Sequence, residues 1–262
     1  MGEASVAQTI SINGVRIEMM ERGAGRPLLF LHPEIGIEPD DTVLELLAAR
    51  TRLIVPIHPG FGSSEVPKSF DTVDDLAYFY LDLIDELDLT NIALVGVSLG
   101  AWIAAELAIK STARISHLVL GNPVGIKVGG REHRDIVDFF AMSETDFLQI
   151  AYHDPSIGRR DYNAMPEAQV RHAARNREAT ARYAWSPFMH DPKLRGRLHR
   201  IQVPTLFLWG TSDRVVSEEY GRAYCATISG ARFEPIERAG HFPHLERPDE
   251  FAEKLFAFID GK

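Results

Sequence analysis

The sequence predicts an α/β protein: a mainly parallel sheet with helices on both faces, interrupted once by a helical insertion. Two observations carry this. Short runs that are apolar on both faces alternate with stretches of helical periodicity, as in strand–helix–strand units whose sheet is covered on both sides. The alternation then stops between Asn122 and Arg200, and resumes afterwards. A length of 262 residues suits one such domain with one insertion.

Gln8 to Ile12 and Val15 to Met20 flank Asn13-Gly14, a pair that favours a two-residue hairpin turn. Leu28 to His32 and Arg52 to Ile57 are short buried runs, separated by a helical stretch holding Leu44, Leu46, Leu47 and Ala48. Asp71 to Leu89 spaces Leu76, Phe79, Tyr80, Leu83, Ile84 and Leu87 along one helical face, with Asp71 or Thr72 as its cap. A strand from Asn91 to Val97, a helix from Ala101 to Lys110 and a strand from His117 to Gly121 follow. After the insertion come strands at Pro204 to Trp209 and Arg232 to Ile236, then a helix from Asp249 to Ile259. Cys225 falls in a predicted helix with Tyr220, Tyr224 and Ile228, where it reads as a packed thiol.

Composition narrows the function classes. Hydrophobic residues make up 45% and charged residues 25%, enough for a sizeable core. The net charge of −9 excludes a whole-protein basic field for nucleic acid and a broad polybasic membrane surface. A single cysteine excludes an internal disulfide framework. Met1 to Ile10 has neither a basic nor an apolar segment of a secretory signal, and no run approaches 18 apolar residues. A cytoplasmic protein acting on a small molecule is the expectation. No metal or cofactor is expected: no His or carboxylate pair has metal-ligand spacing, and no phosphate-binding glycine motif follows a strand.

The chemistry-bearing residues lie in the loops after strands. Gly96-Val97-Ser98-Leu99-Gly100 fits G-x-S-x-G between an apolar run and a helix. Such a turn strains the serine backbone and exposes its hydroxyl above the strand ends, the flanking glycines avoiding collision. The plain alternative is a chance serine in a tight turn. A serine hydroxyl needs a positioned base. His241 follows the last strand, and Asp213 follows the strand ending at Trp209, which puts both at the edge where Ser98 sits. The order Ser98, Asp213, His241 is that of one known triad arrangement.

With these residues in place the chain resembles the α/β-hydrolase superfamily. The matching segments are Leu28 to His32, Pro56 to Gly62, GVSLG, GTSDRVV and GHFPHLERPDEF. The resemblance implies an eight-stranded, mostly parallel sheet formed by 1–121 and 201–262. It also implies a helical cap over 122–200, inserted after the sixth strand. It implies Ser98 as nucleophile, His241 as base and Asp213 as the acid orienting it, with oxyanion donors at the N–H groups of Leu99 and Glu34. Substrate contacts are expected from His32, Phe139 and Trp185. Other cap aromatics (Phe140, Phe147, Tyr152, Tyr162 and Phe188) are expected to be core for the most part.

The departures matter. Many members have His-Gly where this chain has His32-Pro33-Glu34, and Pro33 has no N–H. The Glu34 side chain is expected to turn to solvent, because an inward carboxylate opposes an oxyanion. The alternative is that it selects a substrate group. Ile57 and Pro59 stand where relatives carry Asp and Arg. Asn122 stands where some carry the triad acid, and it cannot replace Asp213. His58 and His244 are read as packing or loop residues. An Asp nucleophile would indicate dehalogenase or epoxide hydrolase chemistry, and Ser98 argues against both. The leading expectation is a hydrolase of small or medium carboxylic esters. A carbon–carbon hydrolase acting on a vinylogous diketone is the runner-up, and a non-catalytic ligand receptor is the third reading. Oligomeric state is left open.

Charge divides by region. Residues 122–200 hold 13 Lys and Arg against 10 Asp and Glu, a net of +3, and the remainder holds 15 against 27, a net of −12. Complementarity between cap and body accounts for this, or else cap arginines favour an anionic substrate.

Overall fold

The sheet is built in the order β1-β2-β4-β3-β5-β6-β7-β8. Its strands are β1 (Gln8–Ile12), β2 (Val15–Arg22), β3 (Pro27–Leu31), β4 (Arg52–Pro56), β5 (Ile92–Val97), β6 (Ile115–Gly121), β7 (Thr205–Gly210) and β8 (Arg232–Ile236). The computed structural model describes residues 8–130 and 132–261. The expectation for the first ten residues therefore rests mostly on residues 1–7, outside the described ones.

The β1–β2 hairpin closes through Asn13 and Gly14, both at positive φ, with Ile12 opposite Val15. β2 also pairs antiparallel with β4, and every pairing from β4 to β8 is parallel. The parallel strands put their carboxyl ends at one edge. From β3 the chain passes outward to β4 and returns to β5 on the other side of β3. The strand order thus reverses between β3 and β5, where open α/β sheets hold their ligands.

Two apolar layers cover the sheet. On one face lie α2 (Val73–Glu86), α3 (Leu99–Lys110) and α7 (Glu218–Cys225), and on the other α1 (Thr42–Ala48) and α9 (Pro248–Ile259). Thr72 caps α2: its hydroxyl accepts from Asp75 N–H while the Asp75 carboxylate accepts from Thr72 N–H, a reciprocal capping box. α3 is buried from Leu99 to Ile109, as expected of a helix apolar all round.

The segment between β6 and β7 contains no β-strand among its described residues, only isolated bridges. Regular helix is confined to α4 (Glu144–Ala151), α5 (Glu167–Ala184) and the single turn α6 (Leu194–Arg197). The segment is therefore less helical than its sequence suggested, because turns and coil fill most of 122–138 and 152–166. It is tied to the body chiefly by side chains reaching backbone carbonyls. Arg175 donates to Ser64 O, Arg182 to Phe70 O and Tyr183 to Pro59 O. α8 (Pro243–Glu246) leads into α9. Among the described residues no helix is long and apolar enough to cross a membrane.

Candidate active site

Ser98 sits between the end of β5 and the start of α3, with φ 50° and ψ −113°. A non-glycine residue adopts that conformation only when its surroundings enforce it. The enforcement is visible at the flanking glycines. A Cβ on Gly100 would stand 2.1 Å from Leu31 O, and one on Gly96 would stand 2.3 Å from Gly100 O. β3, β5 and α3 thus approach closely enough that only glycine fits on either side of the serine. Ser98 N–H donates to Gly121 O of β6 at 2.9 Å, which fixes the turn to the sheet.

The structure brings Ser98, His241 and Asp213 together from three separate strand ends. Ser98 Oγ lies 2.7 Å from His241 Nε2, and His241 Nδ1 lies 2.7 Å from Asp213 Oδ2. An ionised carboxylate only accepts, so Nδ1 carries the ring proton and Nε2 is left to accept from the Ser98 hydroxyl. Asp213 is saturated: Oδ1 accepts from Val215 N–H and Val216 N–H, and Oδ2 also accepts from Asn122 Nδ2 at 2.7 Å. The histidine loop is anchored to the insertion, since His241 N–H donates to Ala151 O at the end of α4. Burial pulls the His241 pKa down, but the charge and hydrogen bond of Asp213 and the charge of Glu34 outweigh it. The imidazole pKa therefore stands above its ordinary value.

Leu99 begins α3, so its N–H is among those with no intrahelical acceptor. Glu34 is the second residue of a turn closed by Gly36 N–H donating to Pro33 O, and no described residue accepts from its own N–H. Asn176 of α5 clamps this turn by donating to Ile35 O.

Three expectations need correction. The Glu34 side chain does not face solvent. It is 5% exposed, its Oε1 lies 4.0 Å from His241 Nε2, and neither carboxylate oxygen has a hydrogen-bond partner among the described residues. The Pro33–Gly36 turn, pinned by α5, aims it inward. His32 is no substrate contact. It is fully buried, its ring stacks on His58 at 3.7 Å, and both its nitrogens are engaged. Nδ1 bonds Pro33 O and Nε2 accepts from His58 N–H, so the pair ties the ends of β3 and β4 together. Burial lowers the His32 pKa to about 4 and keeps the ring neutral. Trp185 is 55% exposed at the end of α5, edge-on to Phe140 and Phe188, and lines no cavity at the site.

Phe139, by contrast, lines a cavity of about 330 Å³ between the insertion and the body, together with Glu34, Phe147, Tyr152, Arg160 and Arg177. Ser98 and His241 are themselves closed off, at 0% and 1% exposure. The cavity reaches toward them as far as Glu34. Sequence reasoning passed over Asn122 as a supporter of Asp213 and Arg160 as a wall residue. The only sequence signal for Asn122 was its place after β6, and for Arg160 the net positive charge of residues 122–200, which singled out no one arginine. Among the described residues no group of three His, Cys, Asp or Glu is placed to hold a metal ion.

Comparison with known proteins agrees with this architecture. The chain is 27% identical over 278 residues to 2-hydroxy-6-oxononadienedioate/2-hydroxy-6-oxononatrienedioate hydrolase of Cupriavidus pinatubonensis, covering 93% of this chain and 90% of the relative. It is 23% identical over 271 residues to 2-hydroxy-6-oxo-6-(2'-aminophenyl)hexa-2,4-dienoic acid hydrolase of Metapseudomonas resinovorans, covering 99% and 92%. The solved structure of a thermophilic esterase from Thermogutta terrifontis superposes with a TM-score of 0.76 at 23% identity, covering 97% of this chain and 99% of that one. The model of the alpha/beta hydrolase family matches residues 28–254, nearly the whole described chain, and this protein is accordingly an enzyme of that family.

Proposed function

We propose that the protein is a serine hydrolase that cleaves a small or medium carboxylic ester through an acyl-enzyme. The observation that carries this reading is the relay of two 2.7 Å contacts from Ser98 Oγ through His241 to Asp213. Ser98 attacks the carbonyl carbon while His241 Nε2 takes its proton. The negative charge that develops on the former carbonyl oxygen is met by the Leu99 and Glu34 N–H groups. His241 returns the proton to the leaving alcohol. It then takes one from water, whose attack releases the acid and restores Ser98. Asp213 holds the imidazole in the tautomer this needs. The segment between β6 and β7 serves as a cap whose Phe139 and Phe147 form an apolar wall for the substrate.

A second reading, hydrolysis of a carbon–carbon bond in a vinylogous diketone, is favoured by the dienoate hydrolases among the relatives. The same triad serves both reactions. A non-catalytic receptor has no use for a relay this tightly aligned. The test is a fluorophosphonate probe with mass mapping of the adduct, beside a p-nitrophenyl ester chain-length series and a dienone. Labelling at Ser98 and ester turnover abolished by Ser98→Ala are expected. Ester turnover surviving in Ser98→Ala overturns the mechanism. Labelling without ester turnover, together with dienone cleavage, selects the second reading.

A further inference from the structure

A buried carboxylate with both oxygens unpartnered is costly. Glu34 is such a group, and it stands at the inner end of the cavity facing the catalytic histidine. Its Oε1 is 4.0 Å from His241 Nε2, too far for a direct hydrogen bond. One intervening atom, however, can lie about 2.9 Å from each of them, within hydrogen-bonding range of both. That atom occupies the place where His241 delivers its proton, which is the place of the leaving group.

The chemistry of the leaving atom then discriminates. An ester oxygen accepts the proton from Nε2 but has none of its own to donate. It therefore sets lone pairs against the Glu34 carboxylate. A carbon leaving group likewise offers no useful donor. The nitrogen of a secondary amide accepts the proton from Nε2 and still carries an N–H that points to an acceptor. We infer that the site also hydrolyses secondary amides, with Glu34 accepting a hydrogen bond from the N–H of the scissile bond. This rests on the reading of Ser98 as the nucleophile. The cavity extends toward Ser98 as far as Glu34, so an amide bound there meets the carboxylate beside His241.

The step balances without a further reagent. The bond from Ser98 Oγ to the carbonyl carbon forms, and the carbon–nitrogen bond breaks. The serine proton passes through His241 Nε2 to the nitrogen, which leaves as a neutral amine. Water then adds to the acyl carbon, His241 takes its proton and returns it to Ser98 Oγ, and the carboxylic acid departs. Glu34 takes no part in the proton transfer. It holds the nitrogen with its lone pair turned toward Nε2, and so favours departure of the amine over return to the substrate. The Glu34 N–H thus acts on the carbonyl oxygen and its side chain on the leaving nitrogen of the same amide.

The experiment compares three substrates with one acyl group: the p-nitrophenyl ester, the p-nitroanilide, and the N-methyl-p-nitroanilide, which has no N–H. The enzymes are wild type, Glu34→Leu and Glu34→Gln, each checked for an unchanged thermal transition and for fluorophosphonate labelling of Ser98. Wild type is expected to cleave the ester and the anilide, and to leave the N-methyl anilide untouched. Glu34→Leu is expected to lower kcat/KM for the anilide about 10- to 100-fold more than for the ester, the loss of one hydrogen bond to a charged group. Glu34→Gln keeps an acceptor oxygen and is expected to retain part of the anilide activity. Several results overturn the inference. One is an anilide-to-ester ratio unchanged in Glu34→Leu, and another is ester turnover by wild type with no anilide turnover. A third is a Glu34→Leu enzyme that accumulates acyl-enzyme with the ester, which assigns the carboxylate to the hydrolytic water instead. Absence of Ser98 labelling in wild type overturns the nucleophile reading and this inference together, and so separates the two failures.

Discussion

Asn122 Nδ2 donates a 2.7 Å hydrogen bond to Asp213 Oδ2, the same oxygen that bonds His241 Nδ1. Its other amide atom, Oδ1, accepts from Gly210 N–H at 2.9 Å. The side chain thus joins the loop after β6 to the end of β7 and fixes the plane of the carboxylate. Asn122 itself holds φ at +38°, a left-handed conformation that asparagine tolerates better than most residues. Asn122→Ala leaves Gly210 N–H unpaired and frees Asp213 to rotate. We expect kcat/KM to fall about 10-fold and stability to drop by about 1–3 kcal/mol, from the usual cost of an unpaired buried polar group. Steady-state kinetics with a p-nitrophenyl ester and a thermal melt check both. Wild-type kcat/KM in a folded Asn122→Ala would show that Asp213 is held by its backbone bonds alone.

The His241 imidazole is acidified by burial and made more basic by Asp213 and Glu34, with the basic side winning. A general base works only when unprotonated, so kcat/KM is expected to rise with pH along a limb whose midpoint lies above the ordinary 6.5. Glu34→Gln removes one of the two negative charges and should move that midpoint to lower pH. The sign for stability follows from the same binding. The folded chain holds this proton more tightly than the unfolded chain, so the interaction adds stability below pH 6.5 and loses it as pH rises through the folded pKa. A pH–rate profile of both enzymes decides. A midpoint that does not move in Glu34→Gln means the carboxylate charge is not felt at Nε2.

Ser98, Asp213 and His241 were legible because their signals are local. Each follows an apolar run that reads as a strand, and parallel strands bring such loops to one edge. The glycines around Ser98 were legible for a steric reason that the structure restates in distances to Leu31 O and Gly100 O. What failed depended on contacts between segments far apart in sequence. Glu34 was expected to face solvent because a free carboxylate prefers water. It points inward because Asn176, 142 residues further on, holds its turn against α5. His32 reads as a mouth residue from its place after β3. It is buried because His58 comes from the neighbouring β4 and stacks on it. Trp185 carries a large apolar side chain, which suggested a pocket, but the end of α5 turns it outward against Phe140 and Phe188.

His244 sits close to His241 among Phe30, Phe242 and Phe251, fully buried, with neither ring nitrogen hydrogen-bonded to a described residue. Burial, then the nearby His241 and His32, lower its pKa to about 3. The unfolded chain takes up this proton near pH 6.5, and the folded chain refuses it until about pH 3. Stability is therefore full above pH 6.5 and declines as pH falls toward 3, by about 1.4 kcal/mol for each pH unit. His32 behaves alike down to about pH 4. His244→Leu removes one of these two contributions. Its thermal transition is expected to fall less between pH 7 and pH 4.5 than that of wild type, by about 5–10 °C. Parallel pH dependence of the two melts would mean that His244 is protonated in the folded state.

Arg160 lines the cavity half-buried and makes no hydrogen bond or ion pair with another described residue. Most of the other described insertion arginines are occupied. Arg175 and Arg182 donate to body carbonyls, and Arg177 lies 4.7 Å over the Phe140 ring and donates to the carbonyls of Phe139 and Phe140. The +3 charge of residues 122–200 is thus spent mainly on carbonyl oxygens of the body and on the insertion's own fold. Among the described residues Arg160 is the cavity-wall guanidinium left to meet a ligand. A substrate with an anionic group distal to its scissile bond gains from it, while a neutral one does not. Arg160→Ala is expected to lower kcat/KM for the p-nitrophenyl monoester of succinic acid about 5- to 10-fold relative to p-nitrophenyl butyrate at low ionic strength. The difference should shrink in about 0.5 M salt, because a half-exposed pair is screened. Equal loss on both esters would place Arg160 in the packing of the cavity wall, and the positive charge of the insertion would then carry no preference for substrate.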